Sequence, residues 1–215
     1  MKPDSDKPPQ DIQDTIWYPV VFMFMITLVL SSILIGVNSH TRSRVEKNRE
    51  LMFERAVMAS VLPDQFTMES PADKVHTAFQ KNIQSPDSES DPAYRYYENG
   101  NLTAYALPFS GKGFWDRIKG VIGFRPDRQT ITGIAFVEQN ETPGLGGEIV
   151  KPYFRERFEG ITIRTTGKAV NLVAVSEETG ANRIHAITGA TQTSNKLEII
   201  INNAVKNWKT RGEKP

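Results

Sequence analysis

Ile187-Thr188-Gly189-Ala190-Thr191-Gln192-Thr193-Ser194 strings small and hydroxyl-bearing residues together, and a helix-period pattern follows at once. Leu197, Ile200, Ile201, Ala204, Val205 and Trp208 form one stripe, with Lys196, Asn202, Asn203 and Lys206 between its members. That is the spacing of an amphipathic helix packed on one side. Thr191, Thr193 and Ser194 are each suited to cap its start. Two readings follow. A capped tight turn is common ahead of a helix. The same arrangement also suits a phosphate, because the free N–H groups and the dipole of a helix N-terminus favour an anion.

Working back along the chain, Glu141-Thr142-Pro143-Gly144-Leu145-Gly146-Gly147-Glu148 is a second anchor. Pro-Gly marks a turn, and the glycines let backbone approach something flat or take positive φ. The loop lacks the Lys-Ser/Thr ending of a nucleotide P-loop and the glycine spacing and βαβ context of a dinucleotide fold. Further back lies Gly111-Lys112-Gly113-Phe114-Trp115. As physics this is a Gly-flexed turn with an aromatic plug, and a Trp there is expected in the core.

Thr188-Gly189-Ala190-Thr191-x-Thr193-Ser194 resembles the flavinylation motif of the FMN-binding domain family. That family includes the C subunit of the Na+-translocating NADH:quinone reductase and the G subunit of the Rnf complex. Glu141-Thr-Pro-Gly-Leu-Gly resembles the family's other signature. Gly111-Lys-Gly-Phe-Trp115 is similar to a stretch of the quinone-reductase subunit, which favours that branch. The resemblance runs from about Gly111 to Trp208. It implies FMN esterified through its phosphate to Thr191, within a turn formed by Thr188, Gly189 and Ala190. It implies that Leu145 packs on the flavin ring and that Glu141, Thr142, Gly144 and Gly146 line the pocket. A threonine hydroxyl is a poor nucleophile at neutral pH, so a dedicated flavin transferase is the implied partner in maturation. The implied role is an electron-transfer subunit of an ion-translocating NADH-linked complex in the bacterial cytoplasmic membrane, with the flavin domain on the outer face.

Composition agrees with this and narrows the rest. The chain of 215 residues has a formal charge of +1, which gives no sign of nucleic-acid binding. Without cysteine there is no disulfide, thiolate chemistry, iron–sulfur cluster or Cys-based zinc site. His40, His76 and His185 show no metal-ligand spacing, and no acid–base catalytic set can be read.

Residues 1–14 are polar and Pro-containing and read as a disordered tail. From Thr15 to Thr41 there is no Asp, Glu, Lys or Arg, and the run Ile16 to Val37 is long enough to cross ~30 Å of hydrocarbon. Trp17 and Tyr18 sit where aromatics favour the interface. A signal peptide is the other reading, but the run is long for one and the segment before it is net acidic. The expectation is one retained transmembrane helix in the lipid bilayer. Arg42, Arg44, Lys47 and Arg49 follow it, and by the positive-inside rule they place the domain in the cytoplasm, against the orientation the resemblance implies.

Residues 42–70 read as a juxtamembrane helical segment ended by Pro63, and 71–215 as the FMN-binding domain, with a short helix at Pro71–Gln84 and a polar loop at Ser85–Pro92. Asn99-Gly100 and Pro126-Asp127-Arg128-Gln129 signal hairpins, joining Tyr94–Glu98 to Leu102–Leu107 and Val121–Arg125 to Thr130–Glu138. Tyr153–Phe158 reads as a short helix, Thr162–Arg164 and Asn171–Ser176 as strands, and the residues after Lys209 as a frayed end. The expected fold class is α+β, antiparallel hairpins packed with helices, preceded by one transmembrane helix. Two other functions fit the same fold: a membrane-anchored binding module without flavin, and a stand-alone extracellular flavoprotein.

Overall fold

The computed structural model describes residues 17–86, 91–164 and 166–212. The expected tail, part of the expected 85–92 loop and the extreme C-terminus lie outside the described residues. The chain divides into two units, residues 1–48 and 49–215. The first consists, among described residues, of the helix α1, which begins at Trp17 and runs unbroken to Val61 in the second unit. Its most apolar 18-residue window has a mean hydropathy of 2.7 and no buried residues, so α1 is long and apolar enough to cross a membrane.

The second unit is built on a five-stranded antiparallel sheet in sequence order. Helix α2 (Ala72–Asn82) leads into β1 (Ile83–Gln84), β2 (Tyr94–Glu98), β3 (Asn101–Lys112), β4 (Arg117–Phe124) and β5 (Ile131–Glu138). Asn99 and Gly100 both take positive φ, 51° and 80°, as a two-residue hairpin turn matched to strand twist requires. Strands β3 and β4 are longer than expected, and the turn between them, at Gly113–Asp116, falls at the end of the Gly-flexed stretch read from the sequence. Pro108 does not stop β3, because β2 pairs only as far back as Ala106. Beyond that point the missing N–H of Pro108 interrupts no ladder on that side.

Side chains sort by size across the sheet. Ala104, Ala106, Val121 and Ala135 face the last turns of α1 and α2. Leu107, Phe109, Ile122, Phe124 and Phe136 face the other layer. Gly123 and Gly133 are cross-strand partners on the α1 side. A Cβ at Gly123 would collide with the carbonyl of Ser60, which accepts a 2.6 Å hydrogen bond from Thr132 Oγ1. The glycine pair therefore opens the slot in which α1 ends.

The opposite layer holds α3 (Pro152–Arg155) with its 3-10 continuation Glu156–Phe158, the pair β6 (Asn171–Val173) and β7 (Arg183–His185), and the last helix α4 (Thr191–Gly212). Leu197, Ile201, Val205 and Trp208 on α4 are at most 1% exposed, each burial stabilising by roughly 1.5–3 kcal/mol. The stripe read from the sequence is the buried face. Strands β6 and β7 are parallel, an addition to the expected antiparallel hairpins. Thr162–Arg164, expected as a strand, forms only an isolated bridge at Thr162, because its successive amides go to Ala181, Gln129 and Ala169 and build no ladder. The strand expected to reach Ser176 stops at Val173, where Glu177 N–H turns back to Ala174 O.

The far end of α4 is pinned by Asp91. Its carboxylate accepts from Trp208 Nε1 at 2.7 Å and from Arg95 at 2.9 Å. Burial pushes the Asp91 pKa up, but Trp208, Arg95, the Ala93 amide and the Arg128 charge outweigh it, and the net shift is downward. A carboxyl depressed in the folded state stabilises above its unfolded pKa and loses that contribution as pH falls through the folded value. Urea midpoints should therefore drop from pH 7 to pH 3, and in Asp91→Asn the drop should be smaller, starting from a lower midpoint at pH 7.

Candidate functional site

The three sequence anchors, far apart in the chain, meet at one carboxylate. Glu141 is 4% exposed. Its Oε1 accepts the backbone N–H groups of Phe114 (2.9 Å) and Trp115 (3.1 Å), and its Oε2 accepts the hydroxyl of Thr193 at 2.7 Å. One side chain thus ties the β3–β4 hairpin tip, the Gly-rich loop and the first turn of α4. Two glycines make room for it. A Cβ at Gly113 would collide with Glu141 Oε1, and one at Gly146 with Thr193 Oγ1.

The start of α4 is set by two further bonds. Ser194 Oγ accepts the N–H of Ile187 at 3.3 Å, and Ala190 N–H reaches Ile187 O at 3.1 Å. Gly189, at φ 77°, makes the tight turn. The first helical bond closes from Ser194 N–H to Ala190 O at 3.0 Å. The amides of Thr191, Gln192 and Thr193 precede it and have no backbone acceptor among the described residues. Of the three expected caps, Thr193 is committed to Glu141 and Ser194 to Ile187. The Thr191 hydroxyl is exposed and makes no hydrogen bond to the described residues.

A cleft of about 290 Å³ opens in front of this turn, lined by Phe114, Trp115, Thr142, Leu145, Gly146 and residues 189–193. Leu145, 44% exposed, stands over Gly189, where a Cβ would lie 3.3 Å from its Cδ2. Phe114 and Trp115 meet edge to face at the rim, with ring centroids 5.2 Å apart. Trp115 is 66% exposed, so the expected core position is corrected. The tight turn and the Glu141 bonds hold its backbone at the hairpin tip, which projects the indole outward. Gly144 and Thr188 line a neighbouring cleft with Glu148, Tyr153 and Arg157. Glu141 lies beneath the lining with both oxygens engaged; Thr193, read from sequence as a cap, lines the cleft and bonds to Glu141 instead, and Gln192 joins the site without having been singled out.

An anion with a flat apolar body suits this arrangement. Unbonded amides and the positive helix pole face the Thr191 end, and Leu145, Phe114 and Trp115 supply the apolar contact. Residues 113–206 match the family model of the FMN-binding domain, a span that contains every element of the cleft. Residues 113–206 are thus similar to an FMN-binding domain.

Among curated relatives, the C subunit of the Na(+)-translocating NADH-quinone reductase of Pasteurella multocida is 41% identical over 112 residues, covering 51% of this chain and 41% of that one. The C subunit of the same enzyme from Neisseria meningitidis serogroup A is 36% identical over 104 residues, covering 47% and 40%. The match spans about two fifths of the length of these relatives. Two solved structures share the fold. The C subunit of the Na(+)-translocating NADH-quinone reductase from Parabacteroides distasonis superposes with a TM-score of 0.69 at 22% identity, covering 81% of this chain and 98% of that one. NqrC of Shewanella oneidensis gives 0.60 at 18%, covering 79% and 100%.

Proposed function

We propose that this chain is the flavin-carrying electron-transfer subunit of a Na+-translocating NADH:quinone reductase, with FMN joined through its phosphate to Oγ1 of Thr191. The observation that carries the reading is the convergence of three motifs on a cleft where Thr191 alone of the hydroxyls in the first turn of α4 is exposed and uncommitted.

Bound FMN supplies one- and two-electron redox chemistry; the residues around it supply position and environment. The amides of Thr191, Gln192 and Thr193 hold a phosphate at the helix pole. Leu145, Phe114 and Trp115 offer apolar contact to a ring. Glu141 shapes the cleft instead of moving protons, because its two oxygens already accept three hydrogen bonds within the protein. Among the described residues no base is bonded to Thr191, so an external flavin transferase activates the hydroxyl, and the small residues Gly189 and Ala190 leave it reachable. Residues 15–41 would cross the bilayer, and 71–215 would carry the flavin outside the cytoplasmic membrane. The basic residues after the span argue for the opposite face, but flanking charge governs translocation of a large domain only weakly.

The names of the relatives favour the quinone-reductase complex over the Rnf type, and other subunits of that complex are the proposed partners. The test is purification of the tagged chain from native membrane. A covalently fluorescent band running with NADH:quinone reductase activity is expected. A fluorescent chain that runs alone, or with a complex lacking that activity, would overturn the assignment.

A further inference from the structure

A second cleft, of about 410 Å³, opens beside the other end of α4. Arg128, Arg164, Lys206 and Lys209 line it, and among the described residues Asp127 is the one carboxylate in its lining. That carboxylate is committed to the β4–β5 turn, accepting the N–H groups of Gln129 and Thr130 at 2.8 Å and the hydroxyl of Thr130 at 2.7 Å. Because the whole chain carries a formal charge of only +1, this excess of cations is local.

Part of it has an internal explanation. Lys206 and Lys209 sit near the C-terminal end of α4, where cations complement the helix dipole. Arg128 and Arg164 do not share that reason, since they arrive from the β4–β5 turn and from the segment 162–164. Arg128 takes a positive φ of 56°. Its guanidinium lies 4.7 Å from the Tyr105 ring centre and 5.2 Å from that of Trp208, and donates to Tyr105 Oη at 3.3 Å. Arg128 also lies 3.7 Å from the Asp91 carboxylate, so its charge is partly met within the domain and it serves as a fixed wall of the cleft. Arg164 and Lys206 are exposed and form no ion pair among the described residues.

We propose that this cleft docks an acidic segment of a neighbouring polypeptide, with carboxylate side chains entering between Arg164 and Lys206. The concave shape and the apolar atoms of Ala169 and Val205 in its lining suit a Glu or Asp side chain with its methylenes better than a plane of lipid headgroups. The inference rests on the reading of the chain as a subunit of a complex. From Thr191 to Lys206 along α4 is about 22 Å at 1.5 Å per residue, so a partner held here leaves the proposed flavin cleft free for electron exchange.

The test places the photo-cross-linker p-benzoylphenylalanine at Gln129, another lining residue, in the full chain expressed in its host. After irradiation, the cross-linked peptide is identified by mass spectrometry. An adduct to an Asp- and Glu-rich segment of another polypeptide is expected. Its yield should fall about fivefold or more in Arg164→Glu/Lys206→Glu, as charge steering requires, with in-gel flavin fluorescence unchanged. Adducts confined to lipid, adducts to a neutral or basic segment, no adduct, or a yield indifferent to the charge reversal would each overturn the proposal. A charge-dependent acidic adduct on a chain without covalent flavin would support it and sink the flavin reading instead.

Discussion

Thr191→Ala is expected to fold, insert and lose every trace of covalent flavin. The substitution removes one exposed hydroxyl that bonds to nothing in the described chain, so stability should change by no more than about 0.5 kcal/mol. The flavin effect should be complete, because the neighbouring hydroxyls are unsuitable. Thr193 is buried and bonded to Glu141, and Ser194 is buried and accepts the Ile187 amide. Thr188 is exposed but lines the adjacent cleft, away from the free amides of the helix pole. Thr188→Ala should therefore keep its fluorescent band in a denaturing gel. Fluorescence surviving in Thr191→Ala would move the ester to another residue.

Glu141→Ala should produce the largest structural effect of any single change at the site. Two amides and a hydroxyl lose a charged acceptor together. Hydrogen bonds to charged groups contribute roughly 1.5–3 kcal/mol each, but the hairpin-tip amides regain water, so a loss of about 2–4 kcal/mol is expected. With the hairpin tip, loop and helix untied, the cleft should open and covalent flavin occupancy should fall with it. Glu141→Gln keeps one carbonyl acceptor for the Phe114 and Trp115 amides, and its NH₂ can donate to Thr193 Oγ1. It should lose only about 1 kcal/mol and retain most of the flavin. Urea unfolding and in-gel fluorescence measure the two effects. An alanine variant as stable and as flavinylated as the parent would show that the carboxylate ties nothing together.

Sequence patterning carried much of this fold because local rules and tertiary packing agree there. The apolar period of α4 is its buried face, and Asn99-Gly100 makes the turn its φ preferences demand. Where local rules failed, a distant contact decided. The length of β3 and β4 depends on how far β2 pairs, which Pro108 does not reveal. The slot at Gly123 and Gly133 exists because Ser60 arrives from another segment. Trp115 reads as core by composition, yet it belongs to a hairpin tip held by a carboxylate 26 residues further along. At the candidate site the motifs were legible as stretches, while the bond that joins them was not. Glu141 looked like one pocket residue among several, and only its three partners give it a structural role.

The most direct measurement is the mass of the tryptic peptide spanning residues 184–196, taken from protein purified from native membrane. Heavier by one FMN less one water, with fragment ions placing the addition on Thr191, is the expected result. An unmodified peptide at full occupancy would contradict a covalent flavin at the start of α4.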